Sequence, residues 1–374
     1  MKVNTGKLLR SLLRAGTRTA KLFAAATAPP KPKRKRAPAK PRTGASTAPA
    51  GVKPAKRAAA AKTAPAVTLP PVRAAAGPRA STSAQSSVAP GKWLSSQVPT
   101  AAGPQMRYWL YLPNSLSSPE GLIVMLHGCH QTATQFAQGT RMNLHAEKYG
   151  YAVLYPQQLV SHQAQRCWKW YERATQAGGG DVPTILSMIH KVLTQYPINR
   201  SRIYVAGISA GAGMANILAL NHPGLFAAVG LHSGPVFGAG HNTLTGIGVM
   251  RHGAGLHADM AAHAILQRQP DFPGMPAILI QGGSDDVVRP INQAQLMRQS
   301  LLLNRLSGPP KITDKPRSRL HDFYVGRKLM LRVAHIEQLD HAWSGGDSAL
   351  PFNAKAGPDA SKLMLDFFAR HQRT

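Results

Sequence analysis

Ser209 lies in Gly207-Ile208-Ser209-Ala210-Gly211, after the apolar run Arg202 to Ala206 and before the helix-like Met214 to Leu220. A serine hydroxyl attacks an ester only when it is lifted clear of its neighbours beside a base. A sharp strand-to-helix turn does this, and the crowded flanks of such a turn admit little beyond glycine. The pattern alone is short, and its strand-before, helix-after setting is what gives it weight.

A nucleophilic serine also needs a base, a carboxylate to orient that base, and donors for the oxyanion. After the apolar run Ala277 to Ile280 comes Gln281-Gly282-Gly283-Ser284-Asp285-Asp286, in which Asp285 is assigned as the orienting acid and Asp286 as an ordinary loop residue. After Leu329 to Val333 comes Asp340-His341-Ala342-Trp343-Ser344-Gly345-Gly346, with His341 as the base. The chain order Ser, Asp, His is the one an elbow serine on a doubly wound sheet requires. His232, His321 and His335 are read as satisfied core or surface residues. The oxyanion donors are assigned to the backbone N–H groups of Ala210, next to the nucleophile, and of Cys129, in His127-Gly128-Cys129-His130-Gln131.

The elements that must hold these residues alternate in type. Tyr108 to Leu112, Leu122 to Leu126, Ala152 to Tyr155, Ile203 to Ala206, Ala227 to Leu231, Ala277 to Ile280 and Leu329 to Val333 read as strands. Helical patterns cover Val182 to Tyr196, Ala212 to Leu220, Asn292 to Leu303 and Ser361 to His371. Continuous apolar strands separated by amphipathic helices predict an α/β fold with a doubly wound, mostly parallel sheet. In such sheets chemistry gathers at the carboxyl ends of strands. Gly234 to Leu256, without clear periodicity, is expected to be an irregular excursion at the rim of the substrate cleft.

Charge is distributed unevenly. The chain carries +30, yet every acidic residue lies at or after Glu120, while 21 of the 45 Lys and Arg precede it. Residues 24–100 are rich in Ala, Pro, Lys and Arg, too poor in large apolar side chains to offset the entropy of ordering, and are expected to be a disordered tail. Residues 101–374 form the expected catalytic domain. Residues 1–23 place Leu9, Leu12, Leu13 and Leu22 among Arg10, Arg14, Arg18 and Lys21, the spacing of a short basic amphipathic helix. Arginines interrupt every apolar stretch that could serve as a secretory signal, and no run is long enough to span a membrane. The two cysteines, Cys129 and Cys167, lack the clustered partners of a zinc site, and no phosphate-cradling loop is present, so no metal and no cofactor is expected. In an oxidising compartment a bond between them would contribute about 3–4 kcal/mol in the chain-entropy model, but the sequence alone does not establish the pairing.

Together these motifs resemble the esterase, poly(3-hydroxybutyrate) depolymerase family of α/β-hydrolases. The resemblance rests on His127-Gly128-Cys129, Cys167-Trp168-Lys169-Trp170, the elbow, Gly282 to Val288, His341 to Gly346 and the closing Phe367 to His371, and spans roughly residues 105–371. It implies a metal-free serine esterase acting on hydroxyalkanoate or other short-chain esters through Ser209, Asp285 and His341. It also implies a Cys129–Cys167 disulfide beside the oxyanion loop, and a location outside the cytoplasm, against which the missing signal pattern favours the cytoplasm. The family's secreted depolymerases add a linker and a polymer-binding domain, which this chain is expected to lack, so small esters stand beside polymer as substrates. Related enzymes cleave feruloyl or acetyl esters of plant polysaccharides, which is the alternative. An alternative of another class is a binding protein whose basic residues 1–100 engage nucleic acid, anionic lipid or a granule surface. Lys31 to Arg36 suits phosphate contacts, but no aromatics interleave with it to stack bases.

Overall fold

The computed structural model describes residues 89–373, apart from residues 102 and 116. The expected amphipathic helix at 1–23 and the tail over 24–88 lie outside the described residues.

Ten strands form one sheet: β1 (Lys92–Thr100), β2 (Gly103–Leu112), β3 (Gly121–Leu126), β4 (Tyr151–Pro156), β5 (Ile203–Ile208), β6 (Ala228–His232), β7 (Ala277–Gly282), β8 (Lys311–Lys315), β9 (Ser318–Val325) and β10 (Lys328–Ile336). Their spatial order is β1-β2-β4-β3-β5-β6-β7-β10-β9-β8. The six central strands, β4 to β10, run parallel, and antiparallel pairs close both edges. Every residue of β3, β4, β5, β6 and β7 is buried, which is why these segments read as unbroken apolar runs rather than as alternation.

Burial on both faces produces two cores. Leu122, Val124 and Leu126 of β3 face one, and Ile123 and Met125 the other, as the period of two along a strand demands. Nine helices are described: α1 (Ala133–Thr140), α2 (Met142–Tyr149), α3 (Arg173–Gln176), α4 (Val182–Gln195), α5 (Ala210–Asn221), α6 (Thr243–His252), α7 (His257–Arg268), α8 (Ile291–Leu303) and α9 (Ala360–Phe368). Side chains of α4, α5, α7 and α8 fill the first core, and those of α1, α2 and α9 the second. Helix α5 is buried from Ala210 to Leu220, so its small residues Ala212, Gly213, Ala215 and Ala219 let it lie close to the sheet.

Two expectations are corrected. The folded part begins before residue 101, because Lys92–Thr100 pairs along β2 from Lys92↔Leu112 to Thr100↔Gly103. Its side chains are mostly exposed, with Val98 the buried one, so an edge strand of this kind carries little apolar signal and owes its order to the ladder. The excursion Gly234 to Leu256 is not irregular throughout. Asn242 and Thr245 form a reciprocal capping box that starts α6, and the Gly253 N–H closes it on the Val249 carbonyl. Helices α1 and α2, and strands β8 and β9, were not legible from periodicity.

Register aligns the carboxyl ends of the parallel strands, with Leu126 opposite Gly207, Ile208 opposite His232, His232 opposite Ile280, and Gly282 opposite Ile336. The segments singled out for chemistry therefore leave the sheet along one edge.

Candidate active site

Ser209 leaves β5 with φ 56° and ψ −124°, a conformation costly for a residue with a Cβ, and caps α5. The surroundings hold it there. Its N–H donates to the His232 carbonyl at 3.0 Å, and its carbonyl accepts the Gly213 N–H at 3.1 Å. A Cβ on Gly211 would collide with the Leu126 carbonyl oxygen, and one on Gly207 with the Gly211 backbone. Both glycines are thus required by close approach of the elbow to the end of β3, as the motif predicts.

Asp285, in the loop after β7, is buried and accepts four hydrogen bonds. Oδ1 takes the N–H groups of Val287 at 3.1 Å and Val288 at 2.9 Å; Oδ2 takes Gln281 Nε2 at 2.9 Å and His341 Nδ1 at 2.8 Å. Burial by itself raises the carboxyl's pKa, but the His341 ring, the Val288 N–H and the Ser233 hydroxyl outweigh it and hold Asp285 below the usual carboxylate value. Asp286 is exposed. The loop carrying Asp285 is tied to the loop carrying His341, since Gly283 N–H donates to the Ile336 carbonyl at 2.7 Å and Ser284 N–H to the Leu339 carbonyl at 3.0 Å. Because Asp285 accepts the hydrogen bond of Nδ1–H, the neutral His341 ring presents Nε2 as its acceptor.

The loop after β3 is aimed by bonds to one carbonyl. The Gly128 oxygen accepts from the His127 ring at 2.7 Å and from the Gln131 N–H at 3.4 Å. In a trans peptide the carbonyl and the following N–H point in opposite directions, so holding Gly128 C=O directs the Cys129 N–H away from those donors. Neither Cys129 N–H nor Ala210 N–H has a hydrogen-bond partner among the described residues, and both residues line the same cavity. His127 is wholly buried; burial depresses its pKa to about 4, against the raising effect of its Gly128 bond. It is therefore neutral, with Nδ1 donating and Nε2 accepting the Gln158 N–H at 3.2 Å. Cys129 is disulfide-bonded to Cys167, which ties this loop to the segment holding Trp168, whose indole N–H donates to the His127 carbonyl at 3.1 Å.

Ser209, His341, Cys129 and Ala210 share a cavity of about 270 Å³ whose other walls include Trp170, Tyr171, Ile247, Met250, Val287 and Phe352. Among the described residues no hydrogen bond joins Ser209 to His341. The structure thus brings together the residues assigned as nucleophile, base and oxyanion donors, and Asp285 through its bond to His341. Helix α6, Gln281 and Gln131 were not given roles from the sequence. Both stand in the quoted loops, Gln281 before Gly282 and Gln131 three residues after Gly128, but which way an amide turns is set by how the loop folds back on itself, which residue type alone does not signal. His232 is a core residue: its ring stacks on Trp343 with centroids 5.0 Å apart and accepts the Ser344 N–H at 3.2 Å, and burial lowers its pKa to about 3. No group of three or more His, Cys, Asp or Glu residues that could hold a metal ion occurs among the described residues, and no described helix is long and apolar enough to cross a membrane.

The sequence profile described as esterase PHB depolymerase matches residues 106–312. A protein named probable acetylxylan esterase A, from Aspergillus fumigatus, is 34% identical over 163 residues, covering 40% of this chain and 43% of that protein. Feruloyl esterase B of Neurospora crassa is 34% identical over 131 residues, covering 34% of this chain and 44% of that protein. The matched region thus spans less than half the length of these relatives. Among solved structures, the acetyl xylan esterase from Aspergillus awamori superposes with a TM-score of 0.60 at 20% identity, over 74% of this chain and 99% of that one, which is a likeness of fold.

Proposed function

The chain belongs to the esterase PHB depolymerase family, and from that premise we propose that it is a serine hydrolase of carboxylic esters working through an acyl-enzyme. The observation that carries this reading is the strained Ser209 on the wall of one cavity with His341 and two unpartnered backbone N–H groups.

Ser209 Oγ attacks the ester carbonyl carbon and gives its proton to His341 Nε2. The carbonyl oxygen becomes an oxyanion and accepts from the Ala210 and Cys129 N–H groups. Asp285 stabilises the imidazolium and keeps its ring in place. The tetrahedral intermediate collapses as His341 returns the proton to the leaving alcohol, and water then releases the acid by the same route. The nucleophile and base need only close on each other when substrate fills the cavity, since such contacts are often long in the free enzyme.

The largely apolar and aromatic cavity favours a short acyl or small aryl group over a charged one. The names of the relatives favour acetyl or feruloyl esters of polysaccharide over hydroxyalkanoates. The Cys129–Cys167 bond favours a location outside the reducing cytoplasm. We assign polyanion contact to the basic residues 1–100, whose role is distinct from ester hydrolysis.

The test is a panel of p-nitrophenyl acetate, methyl ferulate, acetylated xylan and amorphous polyhydroxybutyrate, assayed with the intact chain and with Ser209→Ala and His341→Ala. Each variant is expected to lose roughly 10⁴-fold or more in kcat, and the double variant little beyond that, because the two groups act as a unit. Variants with near-normal kcat would rule the assignment out.

A further inference from the structure

We propose that the Gln131 side-chain amide is a third donor to the substrate oxygen in the transition state, beyond the two backbone N–H groups. The inference rests on the hydrolase reading above.

Gln131 is 4% exposed and lies on the cavity wall with Ser209, Cys129 and Ala210. Its Oε1 accepts the Gly128 N–H at 2.7 Å. Of the two ends of a carboxamide only the oxygen can accept an N–H, so this bond decides which end is which: Oε1 is turned to the Gly128 N–H and Nε2 is turned away from it. Nε2 donates to no group among the described residues, and it is not among the sealed, unpartnered polar atoms of the interior. It therefore keeps accessible surface, which the place of Gln131 on the cavity wall assigns to the cavity. A nearly buried amide with one end fully engaged and the other directed at an apolar chamber is a costly arrangement unless something there accepts from it.

Position relative to the nucleophile follows from Gly128. The point a Cβ would occupy there is 3.1 Å from Gln131 Oε1 and 3.5 Å from Ser209 Cβ, so the amide and the serine share Gly128 as a neighbour. Gln131 also donates its own N–H to the Gly128 carbonyl at 3.4 Å. It thus grips the Gly128 residue at both N–H and C=O, the latter belonging to the peptide that aims the Cys129 donor. Held by these two bonds, its Nε2 is pre-organised and needs no rearrangement as negative charge develops on the substrate oxygen. Charge stabilisation by fixed dipoles in a site of low polarity is worth most under those conditions.

Gln131→Glu separates this role from a purely structural one. The substituted side chain has the same shape and can still accept the Gly128 N–H, but presents an acceptor where the donor was. Gln131→Met removes both the anchor and the donor without adding charge. With the full chain and p-nitrophenyl acetate, both variants are expected to lose roughly 10²–10³-fold in kcat with KM changed only a few-fold. Affinity for a phenylboronic acid, which forms a tetrahedral adduct on the serine, is expected to fall in parallel. The defect of Gln131→Glu should shrink as pH is lowered, because a protonated carboxyl is again a donor, whereas that of Gln131→Met should not.

A kcat within about threefold of the parent in Gln131→Glu, a loss confined to KM, or unchanged boronate affinity would overturn the inference. Ser209→Ala is run beside them. An inactive parent or an active Ser209→Ala would overturn the hydrolase reading and this inference with it. An active parent, an inactive Ser209→Ala and an active Gln131→Glu would overturn this inference alone.

Discussion

The Ser209 N–H donates to the carbonyl of His232 at 3.0 Å, and the ring of that same histidine lies face to face with Trp343, two residues beyond His341. One core residue thus braces both the elbow and the segment carrying the proposed base. His232 ends β6, the strand between those leading to Ser209 and to Asp285, so the brace is a consequence of strand order.

The two neighbouring carboxylates have opposite environments. Asp285→Asn keeps the shape but places a donor or the wrong tautomer against His341, and kcat is expected to fall roughly 10³–10⁴-fold. Asp286→Asn, on an exposed side chain, should leave kcat within about twofold. Steady-state kinetics on a soluble ester checks both, and the reverse ranking would reject Asp285 as the acid.

Two glycines should respond in opposite ways to alanine. Gly211→Ala forces a Cβ into the Leu126 and His127 carbonyl oxygens and is expected to cost more than about 3 kcal/mol and most of the activity. Gly248→Ala lies within α6 with open space around the added methyl, and should stabilise by about 0.5–1 kcal/mol. Urea unfolding of the two variants and the parent measures the contrast.

Truncation should separate the basic segment from the sheet. Removing residues 1–88 is expected to leave kcat on a soluble ester unchanged, since every proposed catalytic group lies after residue 126. Removing residues 1–100 also takes away β1, which pairs along β2 and accepts Lys191 Nζ at Ser96 Oγ (3.0 Å) and at the Gln97 carbonyl (3.1 Å). That variant should melt at lower temperature and aggregate through the bared edge of β2. Equal melting temperatures for the two truncations would show that β1 contributes nothing.

Acid should destabilise the fold through buried neutral histidines. Burial holds His127 and His371 at about 4 and His232 at about 3, below the ordinary 6.5. As pH falls below 6.5 the unfolded chain takes up these protons and the folded chain does not, so stability declines down to about pH 4, and for His232 to about pH 3. Above 6.5 these groups add no slope. Among the described residues both ring nitrogens of His371 are buried without hydrogen-bond partners, so His371→Leu is expected to stabilise by about 1–3 kcal/mol near pH 5 and to flatten the profile between 6.5 and 4. Unfolding free energies across that range decide it; an unaltered slope would exclude His371 as a contributor.

What the sequence determined by itself is local or nearly so. The glycines around Ser209, the apolar runs of β3 to β7 and the order Ser209, Asp285, His341 were legible because a tight turn and a strand buried on both faces impose residue types within a few positions. That logic did not reach β1, whose exposed side chains leave its order to hydrogen bonds with β2, nor α6, whose start depends on a capping box rather than on an apolar stripe. Tertiary structure alone decided which atoms meet. The Asp285–His341 bond, the Cys129–Cys167 bridge and the grip of Gln131 on Gly128 depend on the register that brings the ends of β3, β5, β7 and β10 to one edge. Side-chain direction at those ends is set by partners from other strands, and a linear pattern carries no record of them.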